Sequence, residues 1–159
     1  MIHIVGAGSG AADLITLRGA RLLLAADVVV WAGSLVNPEL LADCKESCVA
    51  YDSAHMTLEE VLDVMCAADA RGEEVVRLHT GDPCLYGAIQ EQMDALDARG
   101  VDYEVVPGVS SFCGAAAALR QEYTLPGISQ SVVITRLSGR TPMPAGEGMR
   151  TMAESGSTM

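Results

Sequence analysis

Aromatic side chains are scarce in this chain of 159 residues: they make up 4%, with one Trp and one Phe. A core must therefore come from Val, Leu, Ala and Met, and a hydrophobic fraction of 50% is ample for that. Positive charge is also short, with 10 Lys and Arg against 21 Asp and Glu and a net charge of −11. The basic residues are scattered, without a Lys/Arg cluster and without interleaved aromatics. This argues against a sequence-independent grip on nucleic acid, which must neutralise phosphates. A small anion held by a few local arginines stays possible. No apolar run is long enough to cross a bilayer, so no membrane span is expected. Met1 leads straight into IHIV with no charged segment or cleavage site, so we expect no secretory signal and a cytoplasmic location. The five cysteines, Cys44, Cys48, Cys66, Cys84 and Cys113, are odd in number and irregular in spacing, which is no disulfide framework. Cys44 and Cys48 could share a helical face, but no second Cys/His pair at zinc spacing accompanies them. Reduced thiols and no metal are expected.

What the chain does have is a recurring pattern of short β-branched runs that break at glycine and restart as helices. The clearest is VVRLHTGDPCLYG, Val75 to Gly87. Val75–His79 reads as a strand broken at Thr80-Gly81-Asp82-Pro83, with a helical pattern opening at Gly87. Such a break leaves backbone N–H groups free at the C-terminal edge of a sheet, where open α/β sheets bind small molecules. Gly81 lets a ligand approach the main chain, and Pro83 stiffens the turn.

Two other strands end in the same way. Met1–Val5 runs into Gly6-Ala7-Gly8-Ser9-Gly10-Ala11, a loose G-x-G-x-x-A turn. A dinucleotide site also needs an acid at the end of the second strand. That strand, Val28–Trp31, is followed by Ala32-Gly33-Ser34, which counts against NAD. Tyr103–Val106 breaks at Pro107-Gly108 and continues through Val109-Ser110-Ser111 into a tightly packed helix expected over Ala115–Leu119. Between these lie a first helix capped by Asp13 or Thr16 and running to about Ala26, with Leu14, Leu17, Leu22 and Leu23 as its apolar residues. A short helix starts at Asn37-Pro38, and a third strand is possible over Cys48–Tyr51. Thr57-Leu58-Glu59-Glu60 is a capping box whose helix turns Val61, Leu62, Met65 and Ala68 inward and ends at Gly72. The alternation predicts an α/β fold, a mostly parallel sheet with helices on both faces and three turns forming one ligand shelf. Residues 1–128 are expected to form this domain. Tyr123–Ser129 reads as a linker, Ser131–Thr135 as a new strand, Ser138–Gly148 as a loop and Glu147–Glu154 as one short helix. One strand and one helix cannot bury their own apolar faces, so 129–159 reads as the start of a second, incomplete α/β domain.

GAGSGAADLITLRGARLL (6–23), ADVVVWAGSLVNPELL (26–41), TGDPCLYGAIQEQ (80–92), VVPGVSSFCGAAAAL (105–119) and TLPGISQSVVITRLSGRTPMP (124–144) together resemble the tetrapyrrole (corrin/porphyrin) methylase family. AGSLVNPELL and ITRLSGRTP resemble the branch that methylates C11 of precorrin-4 or cobalt-precorrin-4 in cobalamin biosynthesis. The resemblance implies two α/β domains, S-adenosyl-L-methionine between them (leaving as S-adenosyl-L-homocysteine), a tetrapyrrole substrate and a homodimer. By position, Thr80, Gly81, Asp82 and Leu85 would touch the cofactor from one turn and Ser110 and Ser111 from another. Ser9 stands where the family usually has proline. Tyr86 and Arg136 would lie on the tetrapyrrole side. The uroporphyrinogen branch has an Asp after its second strand; here that position is Ala32, so no catalytic base is carried over. The chemistry needs alignment and exclusion of water more than a nucleophile. Asp82 would either accept from the cofactor amine or fix its turn, and His79 would be structural or a hydrogen-bond donor. Rival readings are a non-catalytic fragment that assembles through Val132, Val133 and Ile134, and a nucleotide-binding oxidoreductase.

Overall fold

The structure, a computed structural model, describes residues 1–139 and 142–159. Arg140 and Thr141, part of the ITRLSGRTP stretch and of the loop expected over 138–148, lie outside the described residues. The chain forms two compact units, Met1–Ala115 and Ala116–Met159.

In the first unit β1 (Ile2–Gly6), β2 (Val28–Trp31), β3 (Val49–Asp52), β4 (Val75–His79) and β5 (Tyr103–Val106) form one sheet. Its order is β3-β2-β4-β1-β5, and every pairing is parallel. All residues of β1 and β4 are buried, as expected of central parallel strands covered on both faces. The covering elements follow from local chemistry. Thr16 caps α1 (Leu17–Ala25) by accepting from the Gly19 N–H at 3.1 Å. Asn37 caps a 3-10 helix over Pro38–Asp43. The capping box at Thr57 opens α2 (Leu58–Ala70), with Glu60 reaching back to the Thr57 N–H at 2.7 Å. α3 (Gln90–Ala98) follows the fourth strand. One core joins Leu23 and Leu40 to Val5, Val29, Leu78 and Val106. The other joins the α2 stripe, Val61, Leu62, Met65 and Ala68, to Ile2, Val30 and Leu96. Both faces of the central strands are thus covered, while the edge strand β3 stays exposed.

Several expectations are corrected. Leu14 precedes α1 in a 3-10 turn, and Leu17, which opens the helix, is 78% exposed, so Leu23 carries the burial. The third helix opens at Gln90 rather than Gly87 because Tyr86 (φ +59°) and Ala88 (φ +49°) adopt left-handed backbone. α4 (Ser111–Leu119) starts four residues earlier than expected and has no buried residue, so it is not tightly packed.

In the second unit α5 (Met149–Ala153) falls within the helix expected there. The segment read as a linker closes on itself, with the Leu125 N–H donating to Ser129 O at 2.8 Å. Ser131–Thr135 does not form a strand. Val132 forms an isolated bridge with Thr158, and Val132 and Ile134 stay exposed. A lone extended segment without a neighbouring ladder is not held as sheet.

Candidate functional site

The carboxyl ends of parallel strands point the same way, so every strand-to-helix turn of the first unit meets one edge. The turn after β4 and the loop after β1 are stitched together. Gly8 and Gly81 form an antiparallel bridge, with Gly81 N–H donating to Gly8 O at 2.9 Å and Gly8 N–H to Gly81 O at 3.3 Å. The turn after β5 presses on both. A Cβ built on Gly6 would come within 2.6 Å of Gly108 Cα, and one built on Gly108 would strike the Gly81 carbonyl. The close approach of backbones requires glycine at Gly6 and Gly108, and the left-handed φ of +60° favours it at Gly81.

Asp82 locks the arrangement. Its Oδ1 accepts from the Cys84 N–H at 2.8 Å, closing its own turn. Its Oδ2 accepts from the Gly108 N–H at 3.0 Å, across 26 residues of sequence. Hydrogen bonds to an ionised acceptor are the stronger kind. Of the two roles open at the sequence level, fixing the turn is the one this geometry shows.

The other candidates within the first unit gather on the same edge. Thr80, Leu85, Tyr86 and Ser111 are exposed, whereas Gly81 and Ser110 are buried. Ser110 O accepts from the Cys113 and Gly114 N–H groups, so PGVSS feeds directly into α4. Ser9 packs against Gly114, and its Oγ is buried with no hydrogen-bond partner. Beside the turn, Pro83, Tyr86, Ile89 and Met93 line a cavity of about 250 Å³. Arg136 lies in the second unit, where its guanidinium donates to Leu137 O and Pro142 O.

Beneath the shelf lies a polar network that sequence reading missed. Arg77, 7% exposed, donates to Gln92 Oε1 (3.2 Å), Val30 O (3.2 Å) and Ser53 Oγ (3.1 Å). All three acceptors are neutral, and burial pushes the guanidinium down to about 10. His79, the last residue of β4, is 6% exposed, and its Nε2 has no partner. Burial, then the neighbouring Arg77 charge, holds its imidazole down at about 3, so it is neutral at physiological pH. Ser53 Oγ donates in turn to Trp31 O at 2.9 Å. Next to it Asp52 ends β3, and its Oδ1 accepts from the Gly33 and Ala54 N–H groups, both at 2.9 Å. Those bonds, with a smaller contribution from His55, hold the carboxyl below its ordinary range. The single signal in the sequence was Gly33 just after the second strand; its partner in β3 is fixed only by the strand register.

Among the described residues, no three His, Cys, Asp or Glu side chains stand together to hold a metal ion. No helix there is long and apolar enough to cross a membrane.

An all-parallel sheet with its glycine turns fused at the carboxyl edge defines an open α/β domain, a class in which ligands bind at that edge. The chain belongs to the tetrapyrrole (corrin/porphyrin) methylase family, whose model matches residues 1–159. It is 54% identical over 158 residues to the cobalt-precorrin-4 C(11)-methyltransferase of Methanocaldococcus jannaschii, an alignment covering 99% of this chain and 61% of that relative. The chain spans less than two thirds of the length of the curated relatives it matches. A crystal structure of a cobalt precorrin-4 methyltransferase superposes with a TM-score of 0.93 at 47% identity, covering 97% of this chain and 64% of that one. A uroporphyrin-III C-methyltransferase from Thermus thermophilus, solved with S-adenyl homocysteine, superposes with a TM-score of 0.65 at 32% identity, over 82% of this chain and 53% of that one.

Proposed function

We propose that this chain belongs to an S-adenosyl-L-methionine-dependent C-methyltransferase acting on C11 of precorrin-4 or cobalt-precorrin-4 in cobalamin biosynthesis, as a cytoplasmic homodimer. The observation that carries the reading is the fused shelf. Gly6 and Gly108 let the three turns pack backbone on backbone there, and Asp82 fixes two of the turns to each other. The residues fit the cofactor. Ser9 Oγ is a buried polar atom without a protein hydrogen-bond partner beside the shelf. Thr80, Gly81, Asp82 and Leu85 would hold the cofactor from one side, and Ser9, Ser110 and Ser111 from the other. Tyr86 and Arg136 would meet the tetrapyrrole. When bound, the cofactor supplies a methyl group already activated on a sulfonium. The protein's part is to align the acceptor carbon and exclude water, the entropic share of catalysis.

Titration calorimetry with S-adenosyl-L-homocysteine tests the reading. We expect saturable one-site binding that Asp82→Ala weakens. Preference for NAD over the thioether would overturn the assignment.

A further inference from the structure

The edge that carries the shelf holds one more acid. Asp52 ends β3, next to β2 in the sheet, and pairs in register with Trp31. Neighbouring strands lie about 4.8 Å apart, so the end of β3 is about 10 Å from the end of β4. That distance is within the span of a macrocycle lying on the edge. The carboxylate is exposed but not loose. Both of its described hydrogen bonds, from Gly33 and Ala54, go to Oδ1, and Oδ2 lies against the Gly33 backbone without a described hydrogen bond. The next residue, Ser53, is fixed from below by buried Arg77 and by its own bond to Trp31 O. Gly33 makes room for the group: a Cβ there would lie against the Asp52 carboxylate, within 2.6 Å of Cγ. A carboxylate held through Oδ1, with Oδ2 lying over the bare Gly33 backbone at the carboxyl edge, is more than the three-residue 3-10 turn over Ser53–His55 needs from its cap.

Resting on the methyltransferase reading, we infer that Asp52 is the acid–base residue facing the tetrapyrrole. A ring carbon that gains a methyl group leaves the macrocycle one charge more positive. A ring N–H or C–H bond then breaks, its electron pair stays with the ring, and the proton goes to Asp52 Oδ2 and on to solvent. The ionised carboxylate also stabilises the cation before the proton leaves, and the bonds to Oδ1 hold it in place without reorganisation.

Asp52→Asn is the decisive variant, because its amide oxygen still accepts from Gly33 and Ala54. In the whole protein we expect methyl transfer to precorrin-4 to fall at least tenfold. Binding of S-adenosyl-L-homocysteine, and quenching of uroporphyrin fluorescence without cofactor, should stay within twofold. Gly33→Ala, which displaces the carboxylate, should reproduce the loss with an unchanged far-ultraviolet circular dichroism spectrum. Two results overturn the inference while leaving the reading intact: transfer by Asp52→Asn within twofold of wild type, or a rate loss matched by equal losses in both affinities. A wild-type protein that binds the thioether yet methylates neither precorrin-4 nor its cobalt form overturns both.

Discussion

At the N-terminal end of the sheet, His3 sets its ring nitrogens 2.7 Å from Glu104 and 2.9 Å from Glu74, joining β1 to β5 and to the approach to β4. Lys45 meets Asp27 at 2.6 Å, and the Met1 amino group meets Asp69 at 3.0 Å. At the C-terminal end the same strands are joined by backbone pressed on backbone and by the single carboxylate of Asp82. Among the described residues just two buried side-chain polar atoms lack a partner, Ser9 Oγ and His79 Nε2, and both are at this second end. Buried polar groups are nearly always satisfied, so an orphan calls for an explanation. One end spends its polar groups on itself; the other keeps bare main chain and unpartnered atoms. Changes at the first end should therefore cost stability alone, and changes at the second should also cost ligand affinity.

Gly108→Ala should break the second end most completely. The new Cβ meets the Gly81 carbonyl and the Gly6 backbone, neither of which can swing aside as a side chain does. We expect no measurable S-adenosyl-L-homocysteine binding and a loss of about 3 kcal/mol in urea unfolding. Gly139→Ala, where a Cβ meets open space, is the control. Wild-type affinity in Gly108→Ala would mean that the shelf is not where the ligand lies.

The pH response should also originate at the second end. An unfolded imidazole takes a proton near its ordinary value of 6.5, whereas His79 in the folded chain resists until about 3. Between those values the unfolded state binds more protons, so stability falls as the pH drops. The slope is about 1.4 kcal/mol per pH unit, or about 2 kcal/mol between pH 6.5 and 5. Urea unfolding at pH 7.5 and pH 5 should show this loss in wild type and lack it in His79→Gln. Equal slopes in both proteins would remove His79 from the account.

How much of this was legible beforehand divides along physical lines. β4 and β5, the capping box at Thr57 and the α2 stripe are local patterns, and they stand where periodicity puts them. The fusion of the Gly81 and Gly108 turns was expected from three similar turns on one edge. The partner of Asp82 was not, because its bond to Gly108 depends on β5 lying beside β1 and not on any spacing along the chain. The Asp52–Gly33 contact depends in the same way on β3 lying beside β2. Where expectation failed, tertiary terms overrode propensity. Left-handed Tyr86 and Ala88 delay α3, and SVVIT has β-branched composition but no strand to pair with.

A matched pair of variants sharpens the contrast between the ends. Asp82→Ala removes charged acceptors from two backbone N–H groups and should cost about 2 kcal/mol, with thioether affinity reduced about tenfold. His3→Ala removes two side-chain bonds at the other end and should cost about 1 kcal/mol, with affinity within twofold of wild type. Melting curves and calorimetry on the same samples decide the matter. An affinity loss in His3→Ala as large as in Asp82→Ala would erase the distinction.

The smallest effect should come from Ser9→Ala, and it asks what the orphan hydroxyl is for. Deleting a buried hydroxyl that has no partner removes a desolvation penalty, so the unliganded protein should gain up to about 1 kcal/mol. If the cofactor supplies the missing partner, the same variant loses one hydrogen bond on binding, and its affinity should fall by roughly three- to tenfold. Stability and affinity then move in opposite directions, which a hydroxyl serving only as packing against Gly114 would not produce. A Ser9→Ala protein that gains stability and binds S-adenosyl-L-homocysteine as tightly as wild type would show that the second end tolerates an idle polar atom, and the argument from orphans would then rest on His79 alone.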